Sequence, residues 1–187
     1  MSNKRPTPAL VVHQDNIWGE LDLKIAHGYI SGTLDNFLGL IMAFIYAPLA
    51  LEYSIPIFFT KNEEIDLGGS KILASHWDTK FLPIAIDVTL AKNCDCSLEN
   101  FYGFSQPEIR LIRDSVENHE DFKCKTKKYS GNLGDCDDSW SFVDKKIKTF
   151  TFGIPVVGNF HTKSCKISIE KFLRCQKCLK WVLSALL

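Results

Sequence analysis

The chain has 187 residues, 45% hydrophobic and 24% charged, which is enough apolar material for one folded core and excludes wholesale disorder. Its 22 basic and 22 acidic residues cancel, so the electrostatic excess expected of a nucleic-acid binder is missing. The seven cysteines, at positions 94, 96, 124, 136, 165, 175 and 178, are odd in number and leave at least one thiol without an intrachain partner.

Residues 1–20 read as a polar N-terminal tail with one apolar run, Ala9 to Val12, that suits a first strand; residues 21–187 read as a single domain. No apolar segment follows Lys4 and Arg5, so the N-terminus does not read as a signal peptide, which favours a cytoplasmic location. Leu21 to Ile25 alternates apolar and polar, as a half-buried strand does. The stretch His27 to Asn36 reads as a loop punctuated by Gly28 and Gly32. Phe37 to Leu51 is apolar on every face and predicts a fully buried helix, ended or kinked at Pro48. Its 15 residues fall short of the roughly 20 that span a bilayer. Ile55 to Phe59 is a β-rich run closed by the polar residues 60–64.

Further along, Lys71 to Trp77 and Phe81 to Leu90 are candidate strands, and 91–103 reads as a loop. Gln106 to His119 predicts a helix with Pro107 in its first turn and Ile109, Ile112 and Val116 on one side. The polar segment 123–139 reads as a solvated loop, and 147–160 contains a strand. Ile167 to Leu187 predicts a closing amphipathic helix. Strands alternating with helices place the chain in the α/β class.

Several chemical groupings stand out beside these elements. Asp135-Cys136-Asp137 spells a diphosphate-metal motif but lacks the preceding apolar strand, so an acidic surface loop is the simpler reading. Cys94-x-Cys96 and Cys175-x-x-Cys178 resemble two halves of a zinc site at an unusual separation; disulfides or buried thiols are the alternatives. His76 beside Trp77 and Asp78 reads as a packing or loop residue before a general base.

The block from Ser31 to Phe59 is similar to the N-terminal block of fucosyltransferases of the plant cell-wall type, with Gly32, Asp35, Leu38, Gly39, Leu40, Ala43, Phe44 and Tyr46 in matching places. That resemblance implies a Rossmann-like layer like one lobe of a two-lobed glycosyltransferase. It also implies a GDP-sugar donor, a glycan acceptor, no metal or other cofactor, and a Golgi or secretory location. Gly32, Asp35 and Asn36 would be its ligand-binding loop, with His27 beside them, since glycines and a helix start suit a diphosphate. Leu34 and Asn36 stand where the family has glycine and arginine, which implies an incomplete or inactive member with no assignable catalytic residue. The alternative expectation is a non-catalytic, cysteine-stabilised interaction protein, or a membrane-associated one anchored by 37–59.

Overall fold

A computed structural model describes residues 5–16, 21–119, 121–128, 137–159 and 161–187. Six strands form the central sheet in the order β4-β1-β5-β8-β6-β7. Four of them, β1 (Thr7–His13), β4 (Ile57–Thr60), β5 (Phe81–Thr89) and β8 (Thr149–Pro155), run parallel. Next, β6 (Cys96–Tyr102) runs antiparallel to β8, and β7 (Cys124–Lys128) parallels β6. A small second sheet joins β2 (Leu23–Ala26), β3 (Tyr29–Gly32) and β9 (Lys166–Ser168), all antiparallel.

Helices cover both faces of the central sheet, which is why its strands read as nearly continuous apolar runs. Successive side chains of a strand point to opposite faces. Leu10 and Val12 therefore share a core with α1 (Phe37–Tyr53), α4 (Gln106–Glu117) and α6 (Ile169–Leu186). Val11 points the other way, toward α3 (Gly68–Ser75) and α5 (Ser139–Asp144), where it meets Ala74 and Phe142. A short helix, α2 (Glu63–Asp66), links β4 to α3. The α/β class read from the sequence is thus observed, with a mostly parallel sheet between two helical layers.

Several local expectations change. The segment 71–77 is not a strand: Lys71 to Ser75 lies in α3, with Ala74 turned onto the core. Residues 91–103 are not all loop, because β6 occupies Cys96 to Tyr102 in the sheet. Pro48 does not end α1, which runs on to Tyr53. Nor is that helix buried all round: Leu38, Met42 and Tyr46 face the core while Phe44 and Leu51 are exposed. The membrane-anchor expectation for 37–59 fails with it, since α1 packs along β1 and β5 and β4 belongs to the sheet. Among the described residues no helix is long and apolar enough to cross a membrane.

Candidate active site

Parallel strands deliver their carboxyl ends to one edge, and in open α/β sheets that edge is where ligands bind. Here it gathers an unusual set of side chains. His13 ends β1, Glu63 and Glu64 open α2 just after β4, and Asp87 lies near the end of β5. His161 follows β8, and Asp35 enters from the junction of β3 and α1.

That junction is fixed tightly. Gly32 has φ of 130°, and a Cβ there would sit 1.7 Å from the Asp22 carbonyl oxygen, so only glycine lets β3 pass so close. Asn36 caps α1 by accepting from the Gly39 N–H at 3.1 Å and donates to the Ile86 carbonyl at 2.5 Å. The second contact ties the α1 start to β5 one residue before Asp87. Gly69 performs a similar service for the Glu63–Glu64 turn: its N–H donates to the Lys61 carbonyl at 2.8 Å, and a Cβ would come within 2.6 Å of that residue's backbone.

The convergence is close. His13 Nε2 lies 3.3 Å from Asp35 Oδ1, 3.5 Å from Asp87 Oδ1 and 4.0 Å from Glu63 Oε2. The other oxygen of Asp35, Oδ2, lies 3.4 Å from His161 Nε2, which is also 3.4 Å from Glu64 Oε2. The Asp35 carboxylate therefore spans two histidines, one on each oxygen. His13 Nδ1 lies 3.1 Å from the Asp15 carbonyl oxygen, which can accept its N–H. That pairing leaves Nε2 turned toward the acids.

Burial makes this arrangement electrostatically demanding. It would depress His13, but Asp87 and Asp35 outweigh it and hold the imidazole well above its ordinary value. Burial would likewise raise Asp35, yet the imidazoles of His13 and His161 beside its two oxygens bring it down to about 2. Burial and the charge of Asp87 push Glu63 up to about 9. Glu64 and Asp87 are also raised, each by burial and then by the charge of Asp35. His161 is raised by its hydrogen bond to Asp35.

Four buried polar atoms of this cluster have no hydrogen-bond partner among the described residues: His13 Nε2, Asp15 Oδ1, Asp35 Oδ1 and Glu64 Oε1. Orphans of this kind are rare in native interiors and call for an ion or water. Three groups have ligand atoms within 4.8 Å of one another: His13 with Glu63 and Glu64, His13 with Asp35 and Asp87, and Asp35 with Glu64 and His161. Two nitrogen-and-oxygen triads sharing one carboxylate fit a pair of borderline divalent cations such as zinc, cobalt or manganese. The cluster opens into a cleft of about 1450 Å³, lined also by Leu67, Lys71, Leu90 and Asn159.

Comparisons with known proteins agree on the fold and on nothing finer. No family model matches the chain, and no curated protein matches it in sequence. A tripeptidase from Staphylococcus aureus superposes with a TM-score of 0.71 at 12% identity, covering 99% of this chain and 82% of that one. The aminopeptidase PepT from Bacillus cereus gives 0.68 at 12% identity, with 99% and 82% covered. The LapA aminopeptidase of Legionella pneumophila gives 0.64 at 18% identity, covering 99% of this chain and 52% of that one. The chain thus spans most of some neighbours and about half of others.

These neighbours overturn the fucosyltransferase resemblance. It rested on Gly32, Asp35 and the apolar helix behind them, and a glycine turn feeding a buried helix is shared by many α/β folds. The GDP-sugar donor, the glycan acceptor and the glycosyltransferase activity fall with it, as does the Golgi expectation drawn from the same source. The non-catalytic alternative gains no support from peptidase neighbours either.

Of the four loop residues picked from the sequence, Asp35 lies at the centre of the cluster and Asn36 and Gly32 position it. His27 sits in the exposed turn between β2 and β3 and is not among the converging groups. His76 caps the C-terminus of α3, exposed and bonded to Ser75 and Ile72. Asp135 and Cys136 lie outside the described residues. Asp137 and Asp138 are buried and not a solvated loop: Asp137 accepts from Asn100 at 2.9 Å and Thr151 at 2.7 Å, and Asp138 from Thr60 at 2.5 Å. The sequence reading missed His13, Asp15, Glu63, Glu64, Asp87 and His161. The usable signal was positional: an acid or histidine at the end of each β-rich run, as in ALVVHQD, IFFTKNEE and PIAIDVT.

Proposed function

We propose that this chain is a metal-dependent peptidase that removes residues from the amino terminus of short peptides, using two divalent cations held by His13, Asp35, Glu64, Asp87 and His161. One observation carries the reading: the two oxygens of Asp35 face different histidines, each backed by a further buried acid. A carboxylate so placed would serve both cation sites, as two-metal hydrolases require. The structural neighbours, aminopeptidases and a tripeptidase, supply the substrate class.

When bound, the cations would polarise the scissile carbonyl and bring the acidity of water near neutrality. The protein does the rest. His13 and Asp87 would hold one cation and Glu64 and His161 the other, with Asp35 shared between them. Glu63 is the general base: its carboxyl lies 4.0 Å from His13 Nε2 in a buried wall of the cleft, where bound cations would favour the ionised form that takes a proton from the attacking water. Returned to the departing amine, that proton completes hydrolysis. The apolar rim at Leu67 and Leu90 receives the substrate side chain and limits bulk water.

The test is hydrolysis of a panel of dipeptides and tripeptides by chelator-stripped protein, alone and after adding zinc, manganese or cobalt. Metal-dependent release of the first residue is expected. Glu63→Gln should lower kcat by about 10²–10⁴-fold while metal binding persists. Absence of hydrolysis with every metal, or full activity in Glu63→Gln, would refute the proposal.

A further inference from the structure

The cleft runs on from the metal cluster across the sheet. Asp87, Gly153, Ser97 and Lys125 stand opposite one another on β5, β8, β6 and β7 and form one cross-strand row. Residues facing one another in such a row project from the same side of the sheet, and Asp87, Ser97 and Lys125 all line the cleft. Glu99, two residues beyond Ser97 on β6, shares that side and lines the cleft with them.

Glu99 is anchored by one oxygen only. Its Oε1 accepts from Ser97 Oγ at 2.6 Å and from Thr89 Oγ1 at 2.7 Å. These hydroxyls come from β6 and β5, and they converge because β8 places a glycine between them. A Cβ on Gly153 would lie 2.2 Å from Ser97 Oγ and 2.9 Å from Thr89 Cγ2. Glu99 Oε2 has no hydrogen-bond partner among the described residues, and Lys125 forms no ion pair with it. The other carboxylates of the cleft are engaged elsewhere. Asp35, Glu63, Glu64 and Asp87 make up the metal cluster. Asp137 accepts on both oxygens, from Ser139 N–H at 2.7 Å on one and from Asn100 and Thr151 on the other. Asp66 is exposed at the rim.

We propose that Glu99 receives the free α-ammonium group of the substrate, so that the chain takes unblocked peptide amino termini and rejects N-acylated ones. The assignment rests on the peptidase reading above. Thr89, which holds Glu99, lies two residues past Asp87 on β5, about 7 Å along the strand. One amino-acid residue spans about 3.5 Å and a hydrogen bond adds about 3 Å, so a first residue with its carbonyl at the metal cluster reaches Glu99 with its amine. A carboxylate already fixed on one oxygen meets that ammonium without reorganising, and the bond is charge-assisted. An acyl cap removes the charge and leaves the half-buried carboxylate facing a group that cannot satisfy it. Lys125, next in the row, repels an ammonium carried further across the sheet.

The test reads binding apart from turnover. Leucinamide and N-acetylleucinamide are titrated calorimetrically, with manganese present, into the full chain carrying Glu63→Gln, so that neither is consumed. Leucinamide should bind about 10–100-fold more tightly than its acetylated form. Adding Glu99→Gln should abolish that preference, whereas adding Asp66→Asn, which removes an equal charge from the rim, should keep it; circular dichroism checks that each variant is folded. With Glu63 intact, Glu99→Gln should raise KM for unblocked tripeptides by about 10–100-fold and change kcat little. No preference in the Glu63→Gln parent, or the same preference in a folded Glu99→Gln variant, would overturn the assignment. Hydrolysis by Glu99→Gln at unchanged KM would also overturn it, and would leave the peptidase reading standing. A preference that depends on Glu99 in a chain that hydrolyses no peptide would uphold the amine site and refute the peptidase reading instead.

Discussion

Glu63 offers a way to measure what it costs to gather the acids at the carboxyl edge of the sheet. In the metal-free protein its carboxyl is pushed up to about 9, first by burial and then by the charge of Asp87. Its side chain is only 10% exposed, so little of that effect is screened by solvent. The unfolded chain titrates near the ordinary value of 4.5. A group whose folded value is raised contributes its full stability below the unfolded value and loses it as pH rises. Between 4.5 and pH 7 the folded protein keeps a proton that the unfolded chain releases; at 1.36 kcal/mol per pH unit, the loss at pH 7 has a ceiling of about 3 kcal/mol. Sharing of protons with Asp87 and Glu64 lowers the share that belongs to Glu63 alone, so about 1–3 kcal/mol is the working range. Glu63→Gln removes the titration and keeps the shape. In chelator at pH 7 the variant should therefore melt higher than wild type by about 3–10 °C for a chain of this size. The gap should shrink toward pH 5 and widen toward pH 8, and it should narrow when metal is restored, because Glu63 then faces cations. Paired thermal melts across that pH range decide it. A variant no more stable than wild type at pH 8 in chelator would refute the electrostatic account of this edge.

Asp95 has the opposite sign. Burial opposes it, but Arg174, the Lys123 N–H and Lys171 hold it below its ordinary value of 3.8. Its contribution is present above that value and fades as pH falls through the lower folded one. Asp95→Asn should cost about 2 kcal/mol at neutral pH, with the gap to wild type closing below about pH 4 in denaturant titrations. Gly32→Ala forces a Cβ into the Asp22 carbonyl and should displace the β3–α1 junction, lowering metal affinity, and with it the kcat of the proposed hydrolysis, in calorimetric and kinetic assays. Ser105→Ala removes the capping box of α4, where Ser105 and Glu108 exchange hydrogen bonds, and should cost about 1 kcal/mol in chemical denaturation without affecting activity.

What the sequence disclosed follows from the range of the interactions involved. The strands at Ala9 to Val12 and Phe81 to Leu90, and the helices at 37–51, 106–119 and 167–187, are written in local apolar patterns, and the fold contains all five. β6 escaped because its run CSLENFY mixes polar residues into a strand that sits next to the sheet edge. The helix α3 escaped because its eight residues, GGSKILAS, begin with two weak helix formers. Asp35 was singled out, but for a diphosphate contact at a helix start, while its actual neighbours His13, Asp87 and His161 lie 22, 52 and 126 residues away. Glu63 and Glu64 were passed over as the polar end of a strand, and their meaning arises only when β1, β4, β5 and β8 bring their ends together. The cysteine pairs show the same limit: their spacing suggested two half-sites, and in the fold the six described cysteines are buried thiols, none of them in a metal-ligating group.

The binuclear reading of Asp35 is tested most directly by anomalous diffraction from crystals grown with manganese, an ion suited to carboxylate ligands. Two peaks are expected, one among His13, Asp35 and Asp87 and one among Asp35, Glu64 and His161, with an Asp35 oxygen on each. Crystals saturated with manganese that show no peak beside Asp35, or a single ion that leaves its carboxylate unliganded, would contradict the account.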